Sequence, residues 1–160
     1  MTRAAAIATT RRVRGASGTR RAAAALARRL PPGTVVALHG GLGAGKTTFT
    51  QGLALALGIE RPVTSPTFTL VSEHQGTGGR LVHMDLYRLA DSSDLLEIGW
   101  QEYLESGSLV VVEWPERAAD LIEAVPGAVH VDLEPDTDPG FRRIRITLPA
   151  STQPSSTPHP

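Results

Sequence analysis

The chain has no cysteine, no asparagine, a single lysine, and no aspartate or glutamate before residue 60. Without cysteine there is neither a disulfide framework nor a thiolate metal site, a composition that suits a cytoplasmic protein. Guanine recognition through Asn-Lys-x-Asp needs an asparagine and a second lysine, and this chain has neither. No apolar run approaches the roughly 18 residues that cross a bilayer, so no membrane segment is expected. The histidines His39, His74, His83, His130 and His159 lack the close paired spacing of a zinc site.

What is present is a chain of 160 residues, 41% hydrophobic and 20% charged, with enough apolar material to bury a core. One soluble domain over residues 1–148 is expected, followed at 149–160 by a Pro/Ser/Thr-rich tail that reads as disordered. Net charge is zero but segregated. Residues 1–59 carry eight arginines and the lone lysine, giving +9, and residues 60–160 carry seven arginines against sixteen acids, giving −9. A basic half of this kind is compatible with RNA or an acidic partner, although segregation along the chain need not be segregation in space. The first twenty residues, Arg-rich and acid-free, have the look of a transit peptide. A folded reading accounts for them better: an edge strand at 9–14, then a helix capped by Ser17 or Thr19 and running to Leu30, with Ala22, Ala23, Leu26 and Leu30 inward.

The lone lysine stands in the most informative stretch. Residues 40–47 read Gly-Gly-Leu-Gly-Ala-Gly-Lys-Thr and fit G-x-x-x-x-G-K-[ST], the phosphate-binding P-loop. A chain of this composition contains the pattern by chance roughly 0.2% of the time, so a glycine-rich turn with an incidental lysine is a poor rival. The flanks agree with the motif. Residues 35–38 are an apolar, strand-like lead-in, and residues 47–57 place Phe49, Leu53 and Leu57 on one helical face with Gly58 as a C-cap. Glycines let backbone N–H groups curve around phosphate oxygens, and the helix N-terminus adds its positive dipole end. In this pattern Lys46 reaches the outer phosphates and the Thr47 hydroxyl ligates magnesium. Arginine supplies the other positive side chains, so the one compact ammonium falls where a point charge must fit among phosphates.

Downstream, residues 68–71 read as a strand, 76–79 as a hairpin turn and 81–87 as the returning strand. In that strand Val82, Met84 and Leu86 point one way and His83, Asp85 and Tyr87 the other. A helix is expected from Ser92 or Ser93 to Glu105, with Leu96, Trp100, Tyr103 and Leu104 buried. Residues 109–112 are an uninterrupted apolar run ending in Glu113-Trp114-Pro115-Glu116. A strand buried on both faces has this form, and it leaves Glu113 at the C-terminal edge, where open α/β sheets bind ligands. A helix at 116–125 and strands at 129–133 and 141–148 complete the expected fold. It is α/β, a three-layer P-loop NTPase-like domain with a central mixed, mostly parallel sheet flanked by helices.

A nucleoside triphosphate site needs a phosphate cradle, a magnesium shell and a group that orients the attacking atom. Glu113 takes the position of a Walker B acid and is the candidate for magnesium, directly or through water. Asp85 is the candidate for orienting water or completing the metal shell, with His83 and Tyr87 beside it. Thr67, after Ser65-Pro66, sits where a loop hydroxyl can sense the outer phosphate. Against each stands a plainer role: a strand-end charge for Glu113, a solvent-facing polar row for Asp85, an edge-strand threonine for Thr67.

Taken together, the segments resemble the TsaE family, also called YjeE. The resemblance rests on Gly-Gly-Leu-Gly-Ala-Gly-Lys-Thr-Thr-Phe-Thr, Thr-Ser-Pro-Thr-Phe-Thr-Leu-Val, His-Met-Asp-Leu-Tyr-Arg-Leu and Val-Glu-Trp-Pro-Glu, in that order, and covers about residues 15–148. It implies a cytoplasmic, magnesium-dependent ATPase of tRNA threonylcarbamoyladenosine synthesis, weak alone and active when bound to TsaB and TsaD homologues. Those partners modify the adenosine next to the anticodon, so tRNA is met through the partner complex. By motif, the resemblance assigns Gly43, Ala44, Gly45, Lys46, Thr47 and Thr48 to phosphates, Thr47 and Glu113 to Mg2+, and Asp85 and Glu113 to ATP turnover. Thr67 and Glu116 lie in family motifs as nucleotide-site residues, and the loop before the first helix and Arg142 are assigned near the base or ribose. The family commonly has Asp where this chain has Gly41. Backbone amides make the cradle, so only a side-chain contact is put in doubt.

Two other readings fit the loop. A small-molecule kinase usually closes an arginine-bearing lid over the phosphates, yet residues 91–107 contain no arginine. A regulatory module that binds nucleotide without hydrolysing it needs neither Glu113 nor Asp85.

Overall fold

The computed structural model describes residues 5–150; the expected tail, apart from residues 149 and 150, lies outside the described residues. Within it, the apolar runs become strands as their patterns require. β2 (Val35–His39) and β5 (Leu109–Glu113) are short, β-branched-rich and buried on both faces, and β4 (Gly79–Asp85) is buried from Leu81 onward. With β1 (Ile7–Arg14), β3 (Val71–Gly76), β6 (Val129–Pro135) and β7 (Phe141–Leu148) they form one sheet in the order β1-β7-β6-β2-β5-β4-β3. β4, β5, β2 and β6 pair in parallel. β7 and β1 add antiparallel at one end, and β3 pairs antiparallel with β4 at the other. Strands β1, β2, β4, β5 and β6 therefore run in one direction, the mixed, mostly parallel sheet that the sequence predicts.

Helices cover both faces. On one, Ala23 and Leu26 of α1 (Gly15–Ala27) and Phe49 and Leu53 of α2 (Lys46–Ala56) pack with Val36, Leu38, Val111, Val131 and Leu133. On the other, Leu95 of α3 (Ser92–Glu97), Trp100 of α4 (Trp100–Glu105) and Ile122 of α5 (Ala119–Glu123) pack with Val35, Ala37, Val82, Met84, Val110 and Val112. Gly58 ends α2 as expected. Its N–H bonds to the Leu55 carbonyl and that of Ile59 to Ala54, each at 3.1 Å, the paired bonds of a Schellman cap.

Four expectations need correction. Neither Ser17 nor Thr19 caps α1: the helix starts at Gly15, directly after β1, without a side-chain cap, and ends at Ala27. Gly15 makes the sharp turn with φ 63°. Residues 68–70 are a turn rather than strand, because the Leu70 N–H closes onto the Pro66 carbonyl at 2.8 Å and Leu70 takes φ 65°. The single helix expected to reach Glu105 is two, restarted at Gly99 with φ 99°, and the phase change buries Leu95 while leaving Leu96 exposed. The helix expected at 116–125 opens with a 3₁₀ turn over Pro115–Ala118 before α5. Among the described residues, no helix is long and apolar enough to cross a membrane.

Candidate functional site

β2, β4 and β5 end side by side, and the parallel register sets Leu38 and Asp85 opposite Glu113. Two carboxylates thus stand on neighbouring strands at the edge from which the glycine loop departs. Both are buried, Asp85 at 4% exposure and Glu113 at 2%. A buried carboxylate must find partners, and here the partners are hydroxyls. Thr47 Oγ1, in the first turn of α2, donates to Glu113 Oε1 at 3.1 Å. Ser65 Oγ lies 2.8 Å from Asp85 Oδ2 and 2.9 Å from Glu113 Oε2, and Thr67 Oγ1 donates to Asp85 Oδ2 at 3.0 Å. The other oxygen of Asp85 accepts the Tyr87 N–H at 3.0 Å.

The loop has the backbone its glycines permit. Gly40 leaves β2 at φ 151°, where a Cβ would come within 2.9 Å of the Leu133 carbonyl and the Ala44 methyl. Gly43 and Gly45 take φ 72° and 103°, and Gly45 is the N-cap of α2. Left-handed residues interspersed with ordinary ones turn successive N–H groups toward one side, making an anion-binding concavity. The loop carbonyls are engaged by side chains. Lys46 Nζ donates to Gly40 O at 2.6 Å and Gly41 O at 3.0 Å, and Arg142 Nη1 donates to Gly43 O at 2.9 Å. The Lys46 ammonium also lies 3.8 Å from the centroid of the Trp114 ring. Burial holds the Lys46 pKa below that of an ordinary lysine, while the nearby carboxylates of Glu113, Glu116 and Asp85 pull it back up.

The residues assigned by resemblance thus fall into two groups. Thr47, Thr67, Asp85 and Glu113 are linked by hydroxyl–carboxylate bonds, with Ser65 between the acids, while Lys46 and Arg142 bond to the carbonyls of the glycine loop. Ala44 is buried within the loop, Thr48 is half-buried on α2, and Glu116 is exposed on the 3₁₀ turn, near enough to Lys46 to act on its charge. Gly41 is exposed with no atom near its missing side chain, and its carbonyl is already in use by Lys46. Of the polar row on β4, His83 and Asp85 turn inward as expected. Tyr87 lies past the strand end, half exposed, with its ring centroid 5.0 Å from that of Trp114. His83 is fully buried with neither ring nitrogen hydrogen-bonded, and its Nε2 stands 3.5 Å from Glu113 Oε2.

The sequence reading missed Ser65. Its only signal was membership of Thr-Ser-Pro-Thr, and nothing in that stretch says which of the two hydroxyls after Thr64 reaches both acids.

The donor set fits a hard divalent cation: hydroxyl and carboxylate oxygens with no sulfur. Among the described residues no three or more His, Cys, Asp or Glu form a metal cage.

A strand, a glycine loop and a helix N-terminus carrying Lys46 and Thr47, set against carboxylates at the C-terminal edge of parallel strands, define a P-loop nucleotide-binding protein. The chain belongs to the TsaE family: a family model described as threonylcarbamoyl adenosine biosynthesis protein TsaE matches residues 13–144. Proteins named tRNA threonylcarbamoyladenosine biosynthesis protein TsaE are similar to it. That of Treponema pallidum is 48% identical over 106 residues, covering 66% of this chain and 78% of that protein. That of Bacillus subtilis is 49% identical over 92 residues, 58% of this chain and 54% of that protein. That of Streptomyces coelicolor is 46% identical over 125 residues, 76% of this chain and 84% of that protein. The crystal structure of Bacillus subtilis YdiB superposes with a TM-score of 0.74 at 32% identity, covering 91% of this chain and 88% of that one.

Proposed function

We propose that this chain is a magnesium-dependent ATPase, weak alone and stimulated by TsaB and TsaD homologues, that supports threonylcarbamoyladenosine modification of tRNA in the cytoplasm. The observation that carries the reading is the meeting of Lys46, Thr47, Asp85 and Glu113 at one sheet edge. A module that only binds nucleotide has no use for two buried carboxylates there. The name shared by the similar proteins, tRNA threonylcarbamoyladenosine biosynthesis protein TsaE, supports the pathway.

In this reading the backbone from Gly43 to Thr48 holds the phosphates of ATP, and Lys46 turns its ammonium to the outer ones. Thr47 and Glu113 hold magnesium, which when bound neutralises charge on the phosphate oxygens. Asp85 orients the attacking water, and Thr67 reads the presence of the outer phosphate. Glu116 and Arg142 border the nucleotide. Buried strand ends fix these groups before any ligand arrives, which is the condition for electrostatic stabilisation of a transition state.

The test is ATP hydrolysis by the purified protein, with and without TsaB and TsaD homologues, beside Lys46→Ala and Glu113→Ala. Wild type is expected to turn over slowly alone and faster with partners, and both variants to fall to background. Lys46→Ala also weakens nucleotide binding, since each charge-assisted contact it deletes is worth about 1.5–3 kcal/mol. A wild type that never exceeds Lys46→Ala under either condition overturns the ATPase reading.

A further inference from the structure

The two carboxylates at the strand ends are joined by a single side chain. Ser65 Oγ approaches Asp85 Oδ2 and Glu113 Oε2 at nearly equal distances, 2.8 and 2.9 Å. No other side chain described here bonds to both. Of the two acids, Thr67 bonds only Asp85 and Thr47 only Glu113, and Thr67 Oγ1 also lies 3.3 Å from Ser65 Oγ. The Ser65 hydroxyl has one proton, which it gives to one acid at a time or shares between the two, and a donor shared in this way keeps both carboxylate oxygens within reach of one point.

We propose that Ser65 is a positioning residue that sets the spacing of Asp85 and Glu113 and thereby the affinity of the pair for magnesium. The inference rests on the reading above, in which Glu113 holds that ion, and extends it by having Asp85, opposite Glu113 on the neighbouring strand, complete the ion's shell. Magnesium is small and demands near-ideal octahedral geometry, so a change in carboxylate spacing costs it more than it would cost a larger, more tolerant cation such as calcium. Groups that hydrogen-bond to metal-binding carboxylates typically change metal affinity or activity by about 10- to 100-fold when removed.

The same contacts tie the acids to an exposed loop. From Ser65 the chain passes through Pro66, whose carbonyl accepts the Leu70 N–H at 2.8 Å, and the Leu70 carbonyl accepts the Asp85 N–H at 2.9 Å. Asp85 is thus held to residues 65–70 by the hydroxyls of Ser65 and Thr67 and by a main-chain bond. At the loop's tip Phe68 is 84% exposed, with Arg88 4.4 Å from its ring centroid. Fixing the two carboxylates therefore also fixes the loop that carries Phe68.

The experiment is a magnesium titration of the full chain at saturating ADP, followed by the change in tryptophan fluorescence, with hydrogen exchange of the amides of residues 65–70 as a second readout. Neither readout depends on hydrolysis. Ser65→Ala is expected to raise the half-saturating magnesium concentration about 10- to 100-fold and to abolish magnesium-dependent protection of the loop, with ADP affinity in the absence of magnesium unchanged. Ser65→Thr, which keeps the hydroxyl, restores near-wild-type behaviour, whereas a purely structural role would be disturbed by its extra methyl. Thr67→Val, which frees only one acid, has the smaller effect. If Ser65→Ala needs no more magnesium than wild type while Glu113→Ala needs far more, the inference is wrong and the magnesium reading stands. If Glu113→Ala also needs no more than wild type, the magnesium reading falls and this inference with it.

Discussion

Thr47 Oγ1 donates a hydrogen bond to Glu113 Oε1 over 3.1 Å, joining the first turn of α2 to the end of β5 across 66 positions of sequence. Its acceptor is a carboxylate, and hydrogen bonds to charged groups contribute about 1.5–3 kcal/mol. Thr47→Val removes the hydroxyl and keeps the shape; Glu113→Gln removes the charge and keeps the shape. Urea unfolding of both single variants and the double variant should give a coupling energy of roughly 1–2 kcal/mol. Additive losses would show that the contact has no net energetic weight.

Lys46 offers a pH prediction that no second lysine obscures. Burial lowers its pKa from the 10.5 of an ordinary lysine. Between the folded value and 10.5 the unfolded chain still binds the proton while the folded chain has released it, so this group's contribution to stability rises with pH across that interval. Below the interval the cost of burying the ammonium is fully present. Wild type should therefore gain thermal stability relative to Lys46→Met as pH climbs toward 10.5. In the folded protein the single lysine resonance, isotopically labelled by reductive methylation, should titrate at lower pH than in denaturing urea. Coincident midpoints would refute the shift.

A third prediction sets helix propensity against packing. Gly52 lies in the middle of α2, where alanine would be favoured by about 1 kcal/mol on propensity alone. But α1 crosses α2 at this point: a Cβ on Gly52 would fall 2.7 Å from the Ala23 Cβ and press on the Arg20 carbonyl. Backbone cannot rotate away as a side-chain tip can, and overpacking of this kind costs about 1–3 kcal/mol. Gly52→Ala should accordingly lower stability in urea unfolding. An increase would mean that α1 moves aside freely.

These contacts also show what the sequence can and cannot disclose. The carboxylate edge was legible because local pattern determines it: alternation over residues 81–87 turns His83 and Asp85 to one face, and an apolar run ending in Glu113 leaves that charge at a strand end. The P-loop was legible because its geometry depends on glycines and one lysine within eight residues. Ser65 was not, since its partners lie 20 and 48 positions away, and only the register of β4 against β5 brings both within reach of one hydroxyl. The break at Gly99 was missed for a different reason. A glycine inside a helical pattern costs only about 1 kcal/mol, so the pattern alone allows a continuous helix or a restarted one. Burial of Leu95 and Trp100 against β4 and β5 decides between them.

Arg142 is the most distant contributor to the loop, 99 positions from the carbonyl it bonds. It projects from β7, and its Nη1 sits 3.2 Å from the point where a Cβ on Gly45 would stand, so the flat guanidinium lies against the glycine as well as bonding to Gly43. The bond is at the surface and near the ordinary worth of about 1 kcal/mol, so Arg142→Ala should weaken ADP binding about five-fold by calorimetry with little change in stability. Arg142→Lys should recover only part of the loss, because an ammonium on a flexible stem replaces the charge but not the plane that fits over Gly45. Full recovery by lysine would show that charge alone is at work, and an unchanged affinity in both variants would show that the loop holds its shape without the arginine.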